Sequence, residues 1–91
     1  MKSSPEKLLK KHEKLIQSDG LKVVSHVQRP IDEGYLHTLM IDNVSTPFKF
    51  VRTKKYKSLQ GQRVNLTYYP KNETVAGMDF QVMKVVRIKV S

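Results

Sequence analysis

The stretch Arg63-Val64-Asn65-Leu66-Thr67-Tyr68-Tyr69 decides the class of fold. Val64, Leu66 and Tyr68 alternate with Asn65, Thr67 and Tyr69, the period of two that a half-buried β-strand presents. Working outward, the same grammar runs from residue 21 to residue 90. Residues 21–28 are rich in valine and are bounded by Arg29-Pro30. Residues 30–34 have the composition of a turn, and residues 35–42 form a second strand closed by Asn43. Past Thr46-Pro47, residues 48–53 interleave apolar and basic side chains as a third strand. Residues 54–62 are a lysine-rich connection containing Gly61, and residues 70–78 read as a polar loop. Residues 79–90 are a long last strand with Phe80, Val82, Val86, Ile88 and Val90 on one face. Lys84 interrupts that face, which predicts a bulge or a bend.

Upstream the period changes. Residues 4–19 predict a helix, with Ser4 as N-cap, Pro5 at the first helical position and Gly20 to end it. Leu8, Leu9, His12, Leu15 and Ile16 fall on one stripe, with Lys7, Lys10, Lys11 and Lys14 on the other side. The expected organisation is an amphipathic helix in residues 1–20 and a barrel in residues 21–91. The fold class is therefore mainly β, a small five-stranded barrel with one N-terminal α-helix. Closing such a sheet removes edges that a chain of 91 residues could not otherwise cover. Two sets of residues have equal claims to the inner face of the first two strands, Val23/Val27/Leu36/Met40 and Val24/Tyr35/Leu39/Ile41.

Five strands with a long basic link between the third and fourth resemble an OB-fold. The segment Leu59-Gln60-Gly61-Gln62-Arg63-Val64-Asn65-Leu66 is similar to the glycine-containing approach to the fourth strand of such domains. An SH3-like barrel is the alternative. The OB resemblance implies ligand binding along strands two and three and between the flanking loops.

The chain holds 17 Lys+Arg against 8 Asp+Glu, a net charge of +9, which favours polyanionic partners. No acidic residue occurs between Asp42 and Glu73, a window that carries Lys49, Arg52, Lys54, Lys55, Lys57, Arg63 and Lys71. Phe48, Phe50, Tyr56, Tyr68 and Tyr69 share that window. Cations can follow phosphates while ring faces stack on unpaired bases. Tyr56, inside a lysine run, and Tyr69, on the polar face of its strand, are the leading stacking candidates. Phe48 and Phe50 are open to either a stacking or a core reading, and Tyr68 belongs with the core face.

These patterns lead to an expectation of non-catalytic binding of single-stranded DNA or RNA with low sequence specificity. Lys49, Arg52, Lys54, Lys55, Lys57 and Arg63 would meet phosphates, and Tyr56, Tyr69, Phe48 and Phe50 would meet bases. The alternative is an accessory subunit of a replication or translation enzyme, docking a partner through the N-terminal helix, by Leu8, Leu9, Leu15 and Ile16, or through the barrel. With no cysteine, thiolate metal sites and disulfides are excluded. His26 and His37 fall opposite one another across the first turn but lack a third ligand, so neither metal nor cofactor is expected. No nucleophile turn or phosphate loop is visible, and enzymatic activity is not expected. Without a signal-like or membrane-spanning apolar run, the sequence reads as soluble and cytoplasmic.

Overall fold

The computed structural model describes residues 15–91 as one closed barrel of five strands. These are β1 (Ile16–Ile31), β2 (Gly34–Ile41), β3 (Phe48–Arg52), β4 (Arg63–Val75) and β5 (Met78–Val90). Around the barrel they follow the order β1-β2-β3-β5-β4. Every pairing is antiparallel except β3 with β5, where Phe48 lies beside Met83 and Lys49 beside Lys84.

The expected helix is corrected at its C-terminal end. Residues 16–19 belong to β1, with Ile16 opposite Tyr68, Gln17 opposite Thr67 and Ser18 opposite Leu66. Pairing with β4 closes the barrel and satisfies a row of backbone groups, which outweighs a local helical period. Residues 1–14, including Leu8 and Leu9, lie outside the described residues. Gly20 does adopt a positive φ of 69°, but at a bulge between Ser18 and Leu21 rather than at a helix end. Asn65 Oδ1 accepts from its N–H at 2.9 Å, and Arg63 Nη1 donates to its carbonyl at 2.9 Å.

Two further bulges shape the core. An extra residue at Val24 reverses the alternation of β1, so Val23 faces inward with Leu39 and Ile41 while Val24 and Val27 are exposed. Neither of the two expected sets is therefore the inner face as a whole. On β5, Tyr68 pairs with Val85 and Thr67 with Arg87, leaving Val86 bulged and exposed. The irregularity expected at Lys84 thus lies two residues later.

The central cluster comprises Val23, Leu39, Ile41, Phe48, Phe50, Val64, Leu66, Tyr68 and Val85. Phe48 meets Tyr68 edge-on at 4.8 Å, and the Tyr68 hydroxyl is hydrogen-bonded to Ser18 Oγ at 2.9 Å, so the buried phenol keeps a polar partner.

The expected polar loop of residues 70–78 is instead a continuation of the β4–β5 ladder from Pro70/Met83 to Val75/Met78. Ala76 (φ 53°) and Gly77 (φ 78°) make the two-residue turn, both with the positive φ that a tight hairpin of this hand demands. Pro70 is tolerated because, among the described residues, the last pair of β4 with β1 is at Tyr68, so its missing N–H breaks no bond of that ladder.

Candidate nucleic-acid interface

Barrel closure divides the expected site residues into three groups. The aromatic residues of β3 go inward: Phe48 is 2% exposed and Phe50 is 1% exposed. The stacking role is corrected for both, since the core they fill leaves no ring face for a base. Arg52 sits at the end of β3 with its guanidinium 5.0 Å from the Phe50 ring centroid, in cation–π contact.

The second group is the strap of residues 53–62, which runs alongside the part of β1 that does not reach β4. Its attachment is mostly by side chains that imitate a neighbouring strand. Gln28 Oε1 accepts from the Tyr56 N–H and Gln28 Nε2 donates to the Tyr56 carbonyl, both at 2.7 Å. The Leu59 N–H donates to His26 Nδ1 at 2.9 Å. Farther along, Gly61 N–H donates to the Val23 carbonyl at 2.8 Å and Val23 N–H to the Gln62 carbonyl at 2.9 Å. Tyr56 and Leu59 pack on the central cluster, whereas Lys54, Lys55 and Lys57 are exposed. Tyr56 is 4.5 Å from the His37 ring and 6.0 Å from the Phe50 ring. A lysine run thus contains an inward anchor: Tyr56 faces the barrel while its neighbours face water. Arg63 lies elsewhere, clamping the β1 bulge at Gly20.

The third group lies on the outer surface of β3, β5 and β4. Residues paired directly across a ladder present their side chains to the same side. Register therefore places Lys49, Lys84 and Tyr69 in one row across three strands. Continuing along the same side of the β4–β5 ladder come Lys71, Glu73 and Val75 on one strand and Val82, Phe80 and Met78 on the other, of which Val82 is buried and so is not part of the exposed surface. Phe80 is 46% exposed, and Val75 and Met78 are more exposed still. Lys49 Nζ stands 3.8 Å from Glu73 Oε1, with both side chains partly in water. Sequence reasoning missed Lys84 and Phe80. It read Lys84 as an interruption of a strand face and Phe80 as one apolar residue of that face, although Glu73-x-Val75 facing Met78-x-Phe80 was the available signal for a paired hairpin face.

The outer face of β2 and β3 that the OB resemblance implies holds Lys49 beside Thr38. A shallow polar depression of about 250 Å³ on the neighbouring outer surface is lined by Gln17, Asp19, Asn65, Thr67, Arg87 and Lys89. His26 and His37 do meet, although diagonally rather than opposite one another, since His26 pairs with Leu39 and His37 with Gln28; each ring nitrogen is engaged, with the other ring, the Leu59 N–H or the Lys54 carbonyl. Among the described residues no group of three or more His, Cys, Asp or Glu is placed to hold a metal, and no helix is long and apolar enough to cross a membrane. No protein-family model, curated protein or solved structure matches the chain.

Proposed function

We propose that this chain binds single-stranded nucleic acid without catalysis and with little base specificity, using the outer face of β3, β5 and β4. The observation that carries the reading is the row Lys49–Lys84–Tyr69 with Lys71 and the exposed Phe80 ring on the same side. Cations spaced by neighbouring strands follow a phosphate chain, and the exposed Phe80 ring beside them offers a base a stacking surface. The Lys49–Glu73 pair is no obstacle, because an ion pair at a wet surface is worth little and exchanges readily for a phosphate. The strap lysines, Lys54, Lys55 and Lys57, add to the positive field that draws the strand in.

The parallel contact of β3 with β5 favours an OB-like barrel over an SH3-like one, whose strands pair antiparallel. An OB-like barrel is also a frequent carrier of single strands. Docking of a partner by a helical stripe through Leu15 and Ile16 is not supported, since Ile16 begins β1 and Leu15 stands just before it.

The test is fluorescence anisotropy with labelled single-stranded DNA, single-stranded RNA and duplex at low and moderate salt. Tighter binding of a single strand than of duplex, weakened by Phe80→Ala, is the expected result. No binding of any of the three at low salt refutes the proposal.

A further inference from the structure

The two histidines under the strap form a hydrogen-bond chain with only one possible direction. The Leu59 backbone N–H must donate, so His26 Nδ1, at 2.9 Å, is the acceptor. A neutral imidazole has one proton, so His26 carries it on Nε2 and donates it to His37 Nδ1 at 2.9 Å. His37 in turn carries its proton on Nε2 and donates to the Lys54 carbonyl at 3.3 Å. One backbone N–H thereby sets both tautomers, and the chain ties two points of the strap to β1 and β2.

We propose that this pair is an acid-opened latch, and that protonating either imidazole frees the central part of the strap from the barrel. A proton added to His26 goes on Nδ1, directly against the Leu59 N–H. A proton added to His37 also goes on Nδ1, against the His26 Nε2–H. His26 can relieve that clash only by moving its own proton to Nδ1, which again expels Leu59. Each charged state breaks a link that the neutral pair maintains.

The surroundings offer the cation one compensation, the Lys54 carbonyl at His37, and otherwise disfavour it. His37 is fully buried and stacks on Phe50 of β3 at 4.7 Å with an interplanar angle of 2°. Tyr56 of the strap lies 4.5 Å away and His26 of β1 lies 5.2 Å away. The charged groups whose fields reach the pair are the two rings themselves and Arg52 at the end of β3. Burial is the main cause that holds His26 below the ordinary imidazole value of 6.5, followed by repulsion from a charged His37. Burial also dominates at His37; the bond to the Lys54 carbonyl opposes it and Arg52 reinforces it.

The direction of the linkage follows. With the folded-state value below 6.5, the strap-open protein binds more protons than the closed one. Closure is fully stabilised above that pH, and the stabilisation is lost as pH falls from there through the folded-state value. Gly61 and Gln62 stay bonded to Val23, next to the start of β4, whereas the two Gln28–Tyr56 bonds, which also involve no titrating group, must be given up on opening. The opening is therefore confined to the segment carrying Lys54, Lys55, Tyr56, Lys57 and Leu59. It would expose the Tyr56 ring and the edge of β1 and let the three lysines move outward, whether or not the chain binds nucleic acid.

Hydrogen–deuterium exchange on the full chain tests the latch, compared at neutral and mildly acidic pH and corrected for the intrinsic pH dependence of exchange. In the wild type, strap protection should drop by up to about tenfold for each pH unit in the summed lowering of the two histidines, while β4 and β5 stay protected. His26→Asn combined with His37→Phe keeps an acceptor for Leu59 but removes both titrations, so its strap protection should be the same at both pH values. Equal wild-type protection at both pH values, or the same acid loss in the double variant, overturns the proposal. Should the double variant not fold, imidazole ¹⁵N correlation spectra of the wild type decide it. Both rings must show the Nε2–H tautomer at neutral pH and titrate together with the Leu59 amide shift. An Nδ1–H tautomer at His26 overturns the latch.

Discussion

Lys84→Gln removes the middle cation from the row that joins β3, β5 and β4, and it leaves the central cluster untouched. The face holds three lysines, Lys49, Lys71 and Lys84, by the register of the strands. Each cation that meets a phosphate of a single strand adds about 0.7 to the magnitude of the slope of log K against log salt. Binding by these three alone gives a slope of about −2, so affinity falls roughly twentyfold between about 50 and 200 mM salt. Recruiting Lys54, Lys55 and Lys57 of the strap as direct contacts would double the slope to about −4 and make the fall roughly 300-fold. The salt series therefore separates the two surfaces without a structure of the complex. Measured by anisotropy with a labelled oligonucleotide, Lys84→Gln should reduce the slope by about 0.7, and Lys55→Gln should leave it nearly unchanged. The reverse pattern, with Lys84→Gln silent and Lys55→Gln lowering the slope, would refute the assignment of the contact surface to β3, β5 and β4.

Phe80→Ala should weaken single-strand binding by about 1–3 kcal/mol, the usual worth of one stacked base. Its urea midpoint should hardly move, because the ring is 46% exposed; a large fall in the midpoint would mark Phe80 as structural. Phe50→Ala should cost about 3–5 kcal/mol in denaturant unfolding, since it empties the position under His37 and Arg52. A change below about 1 kcal/mol would be incompatible with a filled core at that point. Gly34→Ala should be strongly destabilising in the same assay. Gly34 has φ 142°, and an added Cβ would run into the Arg52 carbonyl oxygen and stand 2.9 Å from Thr53 Cα. Near-wild-type stability would show that β2 and β3 do not approach so closely.

Much of the barrel was legible from short-range pattern. The alternation of residues 63–69 predicts β4, with Val64, Leu66 and Tyr68 inward as found. The Pro30–Gly34 composition locates the β1–β2 turn, which centres on Asp32-Glu33. The candidate site was legible only in part. Charge in the middle of the chain was evident, but Phe48 and Phe50 point inward and Arg63 is used to brace Gly20. Lys84 and Phe80 reach the same side as Lys49 and Tyr69 only through ladders between strands distant in sequence.

The sequence by itself determined that the chain is mainly β, the central part of each strand, most of the connections and the excess of positive charge. Each of these depends on side-chain period, turn chemistry or composition within a few residues. Tertiary structure alone decided which residues face inward, because a single extra residue at Val24 or Val86 reverses the side of everything beyond it. It also decided that residues 16–19 complete a sheet rather than a helix, and that Tyr56 anchors a strap instead of reaching for a base. In both cases the deciding partner, β4 for Ile16 and Gln28 for Tyr56, lies far along the chain, where no local period can register it.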